Sequence, residues 1–245
     1  MSTLVRSWQG LRALLFYLIY GASVVVHSTF MLSVSRFIRY ETRYRLLMIW
    51  NRFAIAWLRV CCGVRSQVEG LSNLPEYPVI VVSNHQSAWE TIYLPTLFPH
   101  TCTLLKRELL RIPFFGWALS LMRPVAIDRS NPRDALRQML SVSARRLETG
   151  SSVLIFPEGT RVAPGTPVRF ARGAGQLAAA TGAHMVCVAH NAGECWPPKR
   201  LGKRPGTVRI AISEPFHSEG RSAAELTEAA RSWIQAKLDA FETQR

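Results

Sequence analysis

Between Arg12 and Arg36 the chain has no formally charged residue, and Leu14-Leu-Phe-Tyr-Leu-Ile-Tyr20 and Val24-Val-Val26 anchor this span. An apolar stretch of that length is long enough to cross a bilayer as a helix. His27 and several serines dilute it. Its length and the aromatic residues running through it argue against a cleaved signal peptide. A second apolar helix is expected from Leu46-Leu-Met-Ile-Trp50 and Phe53-Ala-Ile-Ala-Trp57-Leu58, interrupted by Asn51-Arg52. Three placements are open: in the membrane interface, paired with the first helix as a hairpin, or in a buried helical pair of a soluble protein. Arg36, Arg39, Arg43 and Arg45 outnumber Arg6 and Arg12, which favours the C-terminal side of the first helix as cytoplasmic.

From about Gly63 short apolar runs alternate with helical stretches. The pattern predicts strands at 79–83, 101–105, 124–127, 152–156, 185–189 and 208–213. Helices are predicted at 90–97, 114–122, 132–148, 173–180 and 223–241. This alternation is that of an α/β fold with a mostly parallel central sheet flanked by helices. Ligand sites in such sheets collect where strands end and helices begin. The last helix opens on a capping box, Ser222-Ala-Ala-Glu225, and Leu226, Trp233, Ile234, Leu238 and Phe241 line one side of it. The chain therefore divides into N-terminal helices, residues 1–62, and an α/β unit, residues 63–245.

Composition narrows the partners. The 245 residues carry a net charge of +14, which implies an anionic partner: nucleic acid, an anionic membrane or a phosphorylated substrate. A hydrophobic content of 48% and seven tryptophans lean towards the membrane surface. Aromatic residues are not interleaved with basic ones as a nucleic-acid stacking platform requires, so no nucleic-acid partner is expected. The five cysteines, an odd number without a repeated C-x-x-C, argue against a disulfide framework or a structural zinc site.

Four stretches carry candidate chemistry. In the first, the run 78–83 leads into Asn84-His-Gln-Ser-Ala-Trp-Glu90. His85 is the residue type most easily poised as a base near neutral pH, and Glu90 can orient its ring and stabilise the imidazolium. On one continuous helix, five residues turn about 500°, so the two meet only if His85 precedes the helix and Glu90 lies in its first turn. Ser87-Ala-Trp-Glu90 also reads as a capping box, and both readings stand at this point. The second stretch, Phe156-Pro-Glu-Gly-Thr-Arg161, pairs a glycine that permits close backbone approach with an arginine able to grip phosphate; an ordinary turn with a solvated arginine competes. The third runs from Lys106-Arg-Glu-Leu109 to Pro113 and Gly116-Trp117, basic first and apolar after. The fourth is the short strand ending in Ile127-Asp128-Arg129, whose alternative is a surface ion pair of little energetic weight.

Taken in order, these stretches resemble the glycerolipid acyltransferase family, most closely the bacterial 1-acyl-glycerol-3-phosphate (lysophosphatidate) acyltransferases. The resemblance covers roughly residues 65–215, with a further short apolar block near Val186-Cys-Val188. It implies acyl transfer from acyl-CoA or acyl carrier protein to the sn-2 hydroxyl of lysophosphatidic acid, giving phosphatidic acid, without cofactor or metal. It makes His85 and Glu90 the catalytic pair. It assigns the acceptor phosphate to Arg161 with Lys106 and Arg129, helped by Glu158, Gly159 and Thr160. Residues 63–245 become the catalytic domain, facing the cytoplasm at the bacterial inner membrane among anionic lipids, with residues 1–62 as anchor. Rival readings are acylation of another lysolipid, such as a lyso-aminolipid, and a non-catalytic basic membrane-binding protein. This sequence departs from the family pattern at Glu90, where aspartate is commoner, and at Cys187, where proline is expected. It departs again at Phe170-Ala-Arg-Gly173, where a lysine is replaced and Arg172 or Arg169 substitutes. Gly173-Ala-Gly175-Gln-Leu-Ala178 imitates a dinucleotide fingerprint, but no strand leads into it. Ser87 lacks the elbow of a serine nucleophile.

Overall fold

The computed structural model describes residues 3–98, 100–128 and 130–243. Two long helices open the chain, α1 (Thr3–Val34) and α2 (Tyr40–Cys62), and they pack against each other. The apolar part of α1, Trp8–Val34, has 27 residues. At 1.5 Å per residue it extends about 40 Å, more than the ~30 Å hydrocarbon layer of a bilayer. Leu14, Leu18, Val26 and Phe30 on it are exposed. Length and composition thus suffice for α1 to cross a membrane. The Asn51-Arg52 interruption does not break α2. Asn51 is buried, and its Nδ2 donates to the carbonyl of Ile92 at 2.7 Å. The polar residue in an apolar run is a tie between the helical pair and the rest of the fold. Gly63, at φ +69°, ends α2 in the left-handed conformation, its N–H bonded to Arg59 O.

Seven strands form one sheet: β1 (Val64–Glu69), β2 (Ile80–Ser83), β3 (Cys102–Lys106), β4 (Val125–Ile127), β5 (Val153–Ile155), β6 (Met185–His190) and β7 (Gly206–Ile212). Their order is β1-β7-β6-β2-β5-β3-β4. Only the β6–β7 pair is antiparallel. The strand that the sequence pattern missed is β1. Beyond Val64 it is polar and exposed at the sheet edge except for half-buried Val68, so it carries no apolar run to announce it.

The remaining helices are α3 (Trp89–Tyr93), α4 (Phe115–Ser120), α5 (Pro132–Glu148), α6 (Gly173–Thr181), α7 (Ala192–Cys195) and α8 (Ala223–Thr243). The helix expected at 90–97 stops at Tyr93 and continues as a 3₁₀ turn over Leu94–Thr96. Alternate β2 residues serve two cores. Val79 and Val81 pack with Leu58 of α2, Phe16 of α1 and Trp89 of α3. Ile80 and Val82 pack with Leu177 of α6 and with Leu226 and Ile234 of α8. Gly175 in the false dinucleotide motif has a packing role. A Cβ there would meet the Ala223 carbonyl oxygen at 2.3 Å, so glycine lets α6 and α8 touch. The expected box at Ser222 forms, with Glu225 Oε2 accepting from Ser222 N–H at 2.8 Å and Ser222 Oγ from Glu225 N–H at 3.3 Å.

Candidate active site

The strands β6, β2, β5 and β3 are neighbours and all parallel, so their C-terminal ends share one edge. The loops leaving that edge carry His85 after β2, the 156–161 turn after β5, Lys106 at the end of β3 and His190 at the end of β6. Segments far apart in sequence are thereby gathered where such sheets bind ligands.

His85 sits in the turn before α3, and Glu90 is in the first turn of that helix. His85 Nδ1 lies 2.8 Å from Glu90 Oε1. The same oxygen accepts the backbone N–H groups of Gln86 at 2.9 Å and Ser87 at 2.7 Å, while Ser87 Oγ accepts Trp89 N–H at 3.1 Å. One half of the expected box, the Glu90 carboxylate on the Ser87 N–H, thus coexists with the dyad, while Ser87 Oγ takes the Trp89 rather than the Glu90 N–H; glutamate's extra methylene does not prevent contact. Glu90 is fully buried. Burial alone would raise its pKa, but nearby His190, the hydrogen bond and charge of His85 and the Ser87 N–H outweigh it and hold the carboxyl below its ordinary value. Because Nδ1–H is committed to the carboxylate, the other ring nitrogen of His85 is left as the proton acceptor. The ring stacks on Phe156, with centroids 4.3 Å apart, and Val162 N–H bonds to His85 O at 2.8 Å. The two catalytic-edge loops thus brace each other.

His190, which the sequence reading did not single out, is fully buried behind Glu90, with Nε2 3.9 Å from Glu90 Oε2. The available signal was its position: a polar pair, His190-Asn191, closes an apolar strand as Asn84-His85 closes β2.

A cavity of about 450 Å³ opens in front of His85, within the usual range for ligand pockets. Lys106, Gly159, Thr160 and Arg161 line it together with His85. Its apolar wall comes from α1 (Val24), α2 (Leu47), the 3₁₀ turn after β3 (Leu109) and α4 (Ala118, Leu119). Gly159, at φ +69° and with its N–H on Phe156 O, makes the tight turn that brings the following residues to the cavity. Lys199 is a third cavity cation, beyond the matched motifs.

Other expected residues fall elsewhere. Arg129 lies outside the described residues. Arg169 and Arg172 are exposed and do not line the cavity. Glu158, expected to orient the glycerol or Arg161, lines a different cavity from Arg161. Its neighbours Gly159 to Arg161 line the first cavity, whereas Glu158 lines a second one, of about 410 Å³, with Gln86, Asn191 and Glu194. Its Oε2 is buried without a hydrogen-bond partner. Burial, opposed by the His85 backbone N–H and reinforced by the Glu90 charge, pushes its pKa up to about 8. Glu158 is thus mostly protonated at neutral pH. Among the described residues, no three His, Cys, Asp or Glu side chains converge as metal ligands would.

A family model described as Acyltransferase matches residues 65–191. The 1-acyl-sn-glycerol-3-phosphate acyltransferase of Pseudomonas aeruginosa is 44% identical over 234 residues, covering 94% of this chain and 91% of that protein. A chloroplastic 1-acyl-sn-glycerol-3-phosphate acyltransferase of Brassica napus is 31% identical, covering 94% of this chain and 67% of its own length. Among solved structures, the 1-acyl-sn-glycerophosphate acyltransferase PlsC from Thermotoga maritima superposes with a TM-score of 0.80 at 26% identity over 95% of each chain. The family match spans the dyad, the 159–161 turn and the end of β6, and the chain belongs to the acyltransferase family.

Proposed function

We propose that this acyltransferase moves an acyl group from acyl-CoA or acyl carrier protein to the sn-2 hydroxyl of 1-acyl-glycerol-3-phosphate, forming phosphatidic acid. The observation that carries the reading is the 2.8 Å His85–Glu90 pair opening on the same cavity as Arg161 and Lys106. The acceptor hydroxyl is a weak nucleophile. His85 takes its proton as the oxygen attacks the thioester carbonyl, and the negative charge of Glu90 offsets the imidazolium. The tetrahedral intermediate then collapses, the C–S bond breaks, and the leaving thiolate receives the proton from His85. Arg161 grips the acceptor phosphate with paired hydrogen bonds, Lys106 adds a point charge, and Thr160 and the Gly159 turn complete the rim. The wall from α1, α2 and α4 takes the acyl chain. This wall, together with the exposed apolar face of α1, supports a reaction at a membrane surface, and our reading is the cytoplasmic face of the bacterial inner membrane.

The test is acyl transfer by the purified full chain, with lysophosphatidate, a zwitterionic lysophospholipid and a lyso-aminolipid each offered to both thioester donors. Phosphatidic acid from lysophosphatidate is the expected main product. Equal rates on the lyso-aminolipid would remove Arg161 and Lys106 as specificity residues, and no transfer to any acceptor would sink the reading.

A further inference from the structure

Three hydrogen bonds join Asn84 to His190 across the ends of β2 and β6. Asn84 Nδ2–H donates to His190 O at 2.8 Å, His190 N–H to Asn84 Oδ1 at 3.0 Å, and His190 Nε2–H to Asn84 O at 2.9 Å. The remaining ring nitrogen, Nδ1, accepts the Ala192 N–H at 3.2 Å. A carbonyl oxygen only accepts and a backbone N–H only donates, so this set of partners admits one form, the neutral Nε2–H tautomer. A proton on Nδ1 would set donor against donor.

The ring is fully buried and does not line the cavity in front of His85. It reaches the chemistry at one point. Glu90 Oε1 takes three donors, whereas Oε2 is buried with none. His190 Nε2 stands 3.9 Å from that oxygen, too far for a hydrogen bond but near enough for the positive end of its N–H dipole to act between two fully buried groups.

We propose that His190 is a positioning residue for acyl transfer: a neutral imidazole that holds the Asn84 carbonyl, and through it the peptide leading into His85, while its Nε2 stands near the unpartnered oxygen of Glu90. The inference rests on the dyad reading above and adds a residue to it. Two effects follow. Without the imidazole, the Asn84 side chain keeps its two bonds to the His190 backbone, but the Asn84 carbonyl, which begins the peptide into His85, loses its donor; His85 can then drift from its attacking geometry, and displacement of a base by about 1 Å costs about 10²-fold in rate. Without the dipole, Glu90 binds protons more readily, so the acidic limb of the rate profile moves to higher pH. Around this ring, Glu90 and His85 come from the β2–α3 turn, and Glu158 adjoins Glu90 from the β5 loop. Glu194 lies on α7, and Arg209 precedes Ile210, the register partner of His190 on β7.

The experiment compares His190→Leu, His190→Gln and His85→Ala in the full chain, measuring kcat and acceptor KM across pH. His190→Leu is expected to lower kcat about 10²-fold with acceptor KM unchanged and the acidic limb displaced upward. His190→Gln restores an N–H donor and is expected to recover most of the rate and the limb. A His190→Leu enzyme with wild-type kcat and limb overturns the proposal, whatever its Tm. If that variant does not fold, nitrogen NMR of histidine-labelled wild-type protein decides. A His190 ring that stays Nε2-protonated and does not titrate from about pH 5 to 8 supports it, and a titrating or Nδ1-protonated ring overturns it. An active His85→Ala enzyme defeats the dyad reading itself; an inactive one beside an unaffected His190→Leu defeats this inference alone.

Discussion

His85 and Glu90 are held from several directions, whereas Arg161 and Lys106, facing the same cavity, are exposed and bound by no hydrogen bond or ion pair among the described residues. The base half has a stacked ring, a buried carboxylate with three donors on one oxygen and a backbone tie to the neighbouring loop. The cationic half has long side chains whose ends are free to follow a ligand. The contrast separates two tasks. Proton transfer needs fixed geometry before substrate arrives, whereas recognition of a phosphate on a mobile lipid tolerates adjustment and gains its order on binding. On this view, damage to the first half appears in kcat and damage to the second in KM.

The largest test of that division is His85→Ala, expected to lower kcat about 10³-fold with the protein still bound to vesicles; full activity would remove the base. Glu90→Gln keeps a carbonyl for the Gln86 and Ser87 N–H groups and loses only the charge. A drop in kcat of about 10²-fold with little change in Tm is expected, and an unimpaired enzyme would reduce Glu90 to a helix cap. Arg161→Ala should raise acceptor KM about 10- to 100-fold, the loss of a charged hydrogen bond of about 1.5–3 kcal/mol, with kcat nearly constant; an unchanged KM would break the comparison from the other side. Ala118→Phe, which fills the apolar wall, should leave short-chain transfer intact and slow long-chain transfer, as a competition assay reads directly. The smallest effect concerns Glu158. Its folded pKa lies above its unfolded one, so it binds more protons in the native state, and stability falls as pH rises from the unfolded value towards about 8. Glu158→Gln should flatten that part of the Tm–pH curve, and an unaltered slope would show that the carboxyl is not buried as described.

Much of this arrangement was legible because alternating apolar runs report strands buried on both faces, and six of the seven were found that way. The edge strand β1 escaped because exposed polar residues make no such run. The i, i+5 spacing of His85 and Glu90 stated its own condition, a turn followed by a helix, and the fold meets it. What no spacing could reveal was adjacency across the sheet. His190 lies more than a hundred residues from Asn84, and only the β2–β6 pairing makes them neighbours. Side-chain direction was equally hidden: Glu158 and Arg161 share one turn, yet line different cavities.

Asn51 ties the middle of α2 to the carbonyl of Ile92, two residues beyond Glu90 in the same short helix. The helix long and apolar enough to cross a membrane packs on α2, and this bond ties α2 to the helix that carries the carboxylate. In a bilayer, the height of the reactive centre above the acyl chains is then fixed by the fold, as a tool clamped to a bench has one working height. A hydroxyl lying much deeper, or raised on a long spacer, is out of reach regardless of its charge. An enzyme seated in this way would sort lipids by the depth of their hydroxyl before any cation met a phosphate.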